Sequence, residues 1–178
     1  MSAILETRLR PWPDEAACAL DAASIAARAV LANAFVELHG PLGAGKTTFA
    51  RHLLRSLGVE GRVKSPTYAL MEPYFAAAAH GGFAIAHFDF YRFDDPMEWE
   101  DAGFREVFAA GGLKLVEWPE KAAGLLPPCD LRITIALRDD GDDRDGSIGS
   151  IGSIGSIGGG GREVRFDALS RIGLELLP

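Results

Sequence analysis

Gly40-Pro41-Leu42-Gly43-Ala44-Gly45-Lys46-Thr47 follows the apolar run Ala34-Phe35-Val36-Glu37-Leu38 and precedes a helix-forming run from Phe49 to Leu57. This is the pattern of a phosphate-binding P-loop, in the strand, turn and helix context that the pattern requires. Its glycines let successive backbone N–H groups turn inward on a phosphate, and the following helix adds the positive end of its dipole. Lys46 supplies a point charge for the β- and γ-phosphates, and the Thr47 hydroxyl a Mg²⁺ ligand. The expected frame is an α/β, three-layer P-loop NTPase-like fold. Its mixed, mostly parallel sheet carries one antiparallel hairpin and antiparallel C-terminal strands.

Upstream of the loop, Thr7 to Arg10 alternates as a short edge strand, and Pro11-Trp12-Pro13 ends it before Asp14, a helix cap. The alanine-rich run from Glu15 to Leu31 predicts a packing helix, with Leu20, Ala23, Ala27 and Leu31 at helical spacing. Downstream, Gly58 closes the loop's helix, and Gly61 to Tyr68 reads as a loop entering a strand from Tyr68 to Tyr74. Ala76 to Gly82 connects that strand to a second one, Phe83 to Phe88. Two strands so close in sequence must pair antiparallel, because a parallel crossover needs a dozen or more residues.

The second strand delivers Asp89 at its end. A helix starting at Asp94-Asp95-Pro96, with Trp99, Phe104 and Phe108 on its apolar face, runs to Gly111-Gly112. The short strand Leu113 to Val116 then delivers Glu117-Trp118-Pro119-Glu120. Leu131 to Leu137 and Glu163 to Ala168 read as hairpin partners. Between them lie Asp139, Asp140, Asp142, Asp143 and Asp145 with Arg144, then four Ser-Ile-Gly triplets from Ser147 to Gly158, then Gly159-Gly160-Gly161. A glycine and serine tract carries little apolar surface to offset its ordering entropy, so residues 139–161 read as a flexible hairpin tip. An EF-hand-like calcium loop would need a closing Glu at its twelfth position, which counted from Asp139 is Ser150.

The chain has 178 residues, enough for one domain with a sizeable core, so residues 1–178 are expected to form a single unit. Hydrophobic residues make up 48% and charged residues 24%, which excludes a disordered composition. The net charge of −7 argues against a phosphate-backbone-binding surface, so any RNA link is expected to be indirect. The N-terminus has no basic segment followed by an apolar one, and no apolar run approaches the ~20 residues that span a bilayer. A cytoplasmic protein without membrane contact is the expectation. Cys18 and Cys129 lie far apart with no CxxC partner, which suggests neither a disulfide framework nor a zinc site.

Asp89 and Glu117 each end an apolar strand, and in open α/β sheets ligands bind at the carboxyl ends of strands. They are the candidate magnesium and catalytic carboxylates; solvated surface acids or helix starts are the plain alternative. Ser65 and Thr67 could bring hydroxyls to the metal or γ-phosphate, or simply cap their loop. A guanine-reading Asn-Lys-x-Asp tetrapeptide does not occur in the sequence, and Asp143-Arg144-Asp145-Gly146 matches a GTPase Asp-x-x-Gly pattern without catalytic context. Arg92 and Arg105 are too few and scattered for the lid of a small-molecule kinase.

Four linked motifs resemble the TsaE family, formerly YjeE. They are His39 to Thr48, Ser65-Pro66-Thr67-Tyr68, His87-Phe88-Asp89-Phe90-Tyr91-Arg92 and Val116-Glu117-Trp118-Pro119-Glu120. Order and spacing agree over about Asp14 to Ile135. The resemblance implies a bacterial cytoplasmic ATPase of tRNA threonylcarbamoyladenosine biosynthesis that binds ATP and Mg²⁺. It implies TsaB and TsaD as protein partners, with tRNA met only through their complex. By motif, Gly40, Pro41, Leu42, Gly43, Ala44, Gly45, Lys46, Thr47 and Thr48 hold the nucleotide, and Thr47, Asp89 and Glu117 the metal. Lys46, Asp89 and Glu117 are implied as catalytic, Ser65 and Thr67 fall in a switch-like loop, and Trp118 lies beside the nucleotide. The tract at 139–161 departs from the family pattern.

Three functions remain open on sequence alone: an accessory ATPase, a nucleotide-gated binding module with incidental hydrolysis, and a small-molecule kinase. The tract is expected to be dispensable for all of them. Deleting Gly141 to Gly161 and closing the hairpin with a short turn should leave phosphate release unchanged. An unfolded product in circular dichroism would refute the flexible-tip reading.

Overall fold

The structure is a computed structural model that describes residues 3–138 and 160–178. Almost all of the tract at 139–161 therefore lies outside the described residues. Its last two positions do not belong to a free tip: the Arg138 N–H donates to the Gly161 carbonyl at 3.0 Å, and Arg162 donates to the carbonyls of Gly160 and Gly161. A deletion that keeps these bonds would have to end before Gly160, short of the Gly161 limit expected from the sequence.

Seven strands form one sheet: β1 (Glu6–Trp12), β2 (Phe35–His39), β3 (Met71–Phe75), β4 (Ala84–Asp89), β5 (Leu113–Glu117), β6 (Leu131–Leu137) and β7 (Arg162–Ala168). Their order is β1-β7-β6-β2-β5-β4-β3. The central pairs β6–β2, β2–β5 and β5–β4 are parallel, while β3–β4, β6–β7 and β7–β1 are antiparallel. Five strands therefore point one way and β3 and β7 the other, matching the mixed, mostly parallel expectation with its hairpin and its C-terminal antiparallel strands.

Helices cover both faces. On one side α1 (Glu15–Ala26), α2 (Lys46–Ser56) and α5 (Arg171–Leu176) close a core of Trp12, Ile25, Phe49, Leu53, Leu54, Ile133 and Phe166. On the other side α3 (Pro96–Asp101) and α4 (Phe104–Ala109) cover β4 and β5 through an aromatic cluster. There Phe88 packs edge-on against Phe104 at 5.1 Å, and Trp99 stacks on Phe108 at 5.4 Å. Such pairs add about 0.5–1.5 kcal/mol each beyond the area they bury. Among the described residues no helix is long and apolar enough to cross a membrane.

The edge strand β1 runs through Pro11 to Trp12, past the end that the sequence predicts at Pro11-Trp12-Pro13, and three further elements differ from the sequence expectation for tertiary reasons. Helix α1 stops at Ala26, and Leu31 reaches the core from a separate 3-10 turn, Ala29–Asn33. Its buried face is Cys18, Asp21, Ala22, Ile25 and Ala26, whereas Leu20 is 71% exposed. Asp21 sets that rotation, accepting from Trp12 Nε1 at 2.8 Å and from Arg10 at 3.0 Å, which ties α1 to the edge strand. Hydropathy spacing does not register a buried carboxylate, so it selects the wrong face. The helix expected through Phe108 is two helices, broken where Gly103 takes φ +65°. Finally, β3 begins at Met71 and not Tyr68, because Thr67 turns off the sheet to bond Asp89 and Leu70 takes φ +61°.

Burial pushes the thiols of Cys18 and Cys129 up to about 12, with nearby carboxylates acting in the same direction. Thiolate is the reactive form. Neither cysteine should react with Ellman's reagent in the folded protein at mildly alkaline pH, and both should react in denaturant; rapid labelling of the native protein would contradict this packing.

Candidate functional site

Parallel pairing places the ends of β2, β5 and β4 side by side, in that order, at one edge of the sheet. Leu38 pairs with Glu117, and Asp89 pairs with Glu117 across the next ladder. The loop Gly40–Gly45 leaves β2 there and enters α2 at Lys46. Gly40, Gly43 and Gly45 take φ of +137°, +77° and +113°. At Gly40 a side chain would also meet the Ile135 carbonyl at 2.3 Å, so only glycine fits between the loop and β6.

Successive strand residues face opposite sides. His87 and Asp89 therefore share one face of β4, and Glu117 points to the same side, toward α2. The Thr47 hydroxyl donates to Glu117 Oε2 at 2.7 Å, while His87 Nε2 donates to Glu117 Oε1 at 2.9 Å. Both Glu117 and His87 are buried, and His87 Nδ1 has no partner among the described residues. Asp89 serves another segment: its Oδ2 accepts from Thr67 at 2.7 Å and from Ser65, and its Oδ1 from the Tyr91 N–H at 2.9 Å. Ser65 and Thr67 lie 2.7 Å apart, and both spend their hydroxyl protons on Asp89.

Lys46 folds back over its own loop. Its ammonium donates to the Gly40 carbonyl at 2.6 Å and the Pro41 carbonyl at 2.9 Å, and lies 3.6 Å from the centre of the Trp118 ring. Burial holds this amine below the ordinary lysine value, against Glu117, Glu120 and Asp89, which act to raise it. Trp118 is held at φ +57°, a left-handed conformation that non-glycine residues adopt rarely, and its ring meets Tyr91 at 5.0 Å. Thr48 is buried on α2, and Leu42 is 69% exposed at the loop's outer turn.

All the residues singled out in the sequence thus converge: the loop from Gly40 to Thr48, Ser65 and Thr67 through Asp89, Glu117 through Thr47, and Trp118 over Lys46. His87 lay within a quoted motif without a role; its place two residues before Asp89 on a strand was the available signal. A neighbouring cluster received no role from the sequence, although His39 and Glu120 fall within two of the quoted motifs. Glu37 accepts from His39 at 2.9 Å and from Arg132 at 3.4 Å, and His39 approaches Glu120 at 3.6 Å. Burial acts to raise the Glu37 carboxyl, but the His39 bond, the Cys129 thiol and Arg132 outweigh it and leave it below its ordinary value. At the loop itself the donor set of Thr47, Asp89 and Glu117, one hydroxyl and two carboxylates, all oxygen, suits a hard cation such as Mg²⁺.

A likeness to known proteins covers this same region. The Haemophilus influenzae protein named tRNA threonylcarbamoyladenosine biosynthesis protein TsaE is 48% identical over 105 residues, which are 59% of this chain. The matched part spans 64% of that relative's length. The Bacillus subtilis protein of the same name is 38% identical over 105 residues, 59% of this chain and 63% of the relative. A crystal structure of Bacillus subtilis YdiB has the same fold, with a TM-score of 0.66 at 24% identity, covering 98% of this chain and 94% of that one. The family model described as threonylcarbamoyl adenosine biosynthesis protein TsaE matches residues 13–145, which include every converging residue above, and the chain belongs to the TsaE family.

Proposed function

We propose that this chain is a Mg²⁺-dependent ATPase acting as an accessory subunit of bacterial tRNA threonylcarbamoyladenosine biosynthesis, in the cytoplasm and together with TsaB and TsaD. The relatives' names support the pathway. The observation that carries the ATPase reading is the Thr47–Glu117 hydrogen bond at the foot of the loop. A hydroxyl whose proton is committed to a carboxylate turns its lone pairs outward, which is what a metal ligand at this position needs.

In this reading Thr47 and Glu117 hold Mg²⁺, with Asp89 completing the shell, and Lys46 exchanges the Gly40 and Pro41 carbonyls for phosphate oxygens. When bound, Mg²⁺ withdraws charge from the β- and γ-phosphates. His87 keeps Glu117 oriented. Asp89 links the shell to Ser65 and Thr67, so their loop can sense the γ-phosphate, and Trp118 shields the lysine and phosphates from water. Strain at Trp118 and burial of Lys46 are the kind of cost that persists at functional sites.

The binding-module reading draws on the same Ser65, Thr67 and Asp89 contacts, since a loop tied to the nucleotide site is a docking element gated by occupancy. Phosphate release measured with and without TsaB and TsaD separates the two: an accessory ATPase turns over in the assembly, whereas a module assembles without turnover. Transfer of the γ-phosphate to an acceptor other than water would favour a kinase instead.

Lys46→Ala should weaken nucleotide binding by about tenfold and abolish hydrolysis. Glu117→Ala should retain nucleotide yet lose about 10²–10³ in turnover, the usual scale for removing one stabilising group. Asp89→Ala should lose turnover too, and should increase protease cleavage near Ser65 by releasing that loop. Normal turnover in any of the three would refute its assigned role. His87→Gln, which keeps a donor at the Nε2 position, should retain more turnover than His87→Leu.

A further inference from the structure

We infer that Arg162 is a positioning residue of the phosphate loop, holding the Ala44–Gly45 peptide so that the Gly45 N–H faces a bound phosphate. Arg162 opens β7, 118 residues from Ala44 and beyond the family-matched residues. Its side chain is buried, and Nε donates to the Ala44 carbonyl at 3.0 Å. Nη1 donates to the Gly161 carbonyl at 3.2 Å and to the Gly160 carbonyl. A guanidinium is planar, so carbonyls gripped from two of its nitrogens leave it little freedom to rotate.

The consequence for the loop follows from peptide geometry. In a trans peptide the C=O and the next N–H point in opposite directions. Pinning the Ala44 carbonyl toward β7 therefore turns the Gly45 N–H away from β7. The Ala44 N–H, in the preceding peptide unit, is itself committed to the Pro41 carbonyl at 3.1 Å, so Ala44 is held through both its N–H and its C=O. Gly45 at φ +113° has no side chain to resist a flip, and an unpinned glycine peptide would sample both orientations.

A second contact shows that the loop rests on the same hairpin elsewhere. The Ile135 carbonyl of β6 lies under Gly40, where a Cβ would approach to 2.3 Å. The β6–β7 pair thus meets the loop at Gly40 with a backbone carbonyl and at the Ala44 carbonyl with a guanidinium. Arg162 also carries a permanent positive charge one hydrogen bond from the Ala44–Gly45 peptide.

This inference rests on the nucleotide-site reading above. The test compares affinity for a fluorescent ATP analogue with Mg²⁺ in the wild type, Arg162→Met, Arg162→Lys and Arg165→Met, alongside thermal midpoints without nucleotide. Arg165 is a half-exposed arginine on the same strand and serves as the control. Arg162→Met should bind about tenfold more weakly. Arg162→Lys, keeping one donor and the charge, should recover part of that loss, and Arg165→Met should match the wild type. A merely structural arginine would lower the midpoint and leave affinity measured well below it unchanged, which would overturn the inference. Should Arg162→Met not fold, Arg162→Lys decides: weaker binding at an unchanged midpoint supports the assignment, and wild-type affinity overturns it. A wild type that fails to bind the analogue overturns the nucleotide-site reading and this inference with it; normal wild-type binding with unchanged affinity in Arg162→Met overturns this inference alone.

Discussion

The hydrogen bond from Thr47 to Glu117 depends on three features at once: β5 beside β2, parallel pairing between them, and α2 starting where the loop ends. Each also bears on the fate of a buried carboxylate. Taking Glu117 out of water is costly unless its oxygens are occupied. Oε2 is occupied from α2 and Oε1 from His87 on β4, so the group that looks catalytic is also a joint between helix and sheet. The parallel centre of the sheet and the chemistry at its edge are therefore not separable properties. Moving β4 or α2 would leave an unpaired charge in the interior.

Lys46 illustrates the opposite situation, a buried charge whose direct contacts are carbonyl dipoles and a ring face, with Glu117, Glu120 and Asp89 acting on it from further away. Carbonyls of the loop accept the amine's protons without supplying a full counter-charge in contact, and burial outweighs the three carboxylates in weakening its hold on the proton. A phosphate oxygen offers the same hydrogen-bond geometry with a full charge. The resting contacts of Lys46 are thus the ones an anion would replace most readily, and the twisted backbone of Trp118 keeps the lysine over the loop meanwhile.

Legibility in the sequence followed the range of the forces involved. The loop, the strand ends carrying Asp89 and Glu117, and the antiparallel hairpin were readable because glycine spacing, period-two patterning and short connections are local. The face of α1 was not, since Asp21 answers to Arg10 and Trp12 on another element. Nor was the break at Gly103, where one glycine divides a run that hydropathy reads as continuous. Arg162 was invisible for a stronger reason: its partner Ala44 contributes only a backbone carbonyl, which no residue type announces. Contacts from side chain to distant backbone are the class of interaction that sequence patterns conceal most completely.

The division of labour between Asp89 and Glu117 follows from charge as well as geometry. The two acids are register neighbours on adjacent strands, and Glu120 also acts on Lys46. One lysine facing three carboxylates makes an inhospitable place for a triphosphate on its own. Each acid in its present state is quieted by proton donors, Glu117 by Thr47 and His87, Asp89 by Ser65, Thr67 and the Tyr91 N–H. Hydrogen bonds soften such repulsion without cancelling it. Glu117 and Asp89 would be the carboxylates to hold a divalent cation there, and its charge would offset their repulsion of a triphosphate. Asp89 is also the acceptor for Ser65 and Thr67, so any displacement of its carboxylate would loosen them. A change at the phosphates would thereby become a change in an exposed loop, where Tyr68 is 85% exposed and stacked under Arg92 at 4.5 Å.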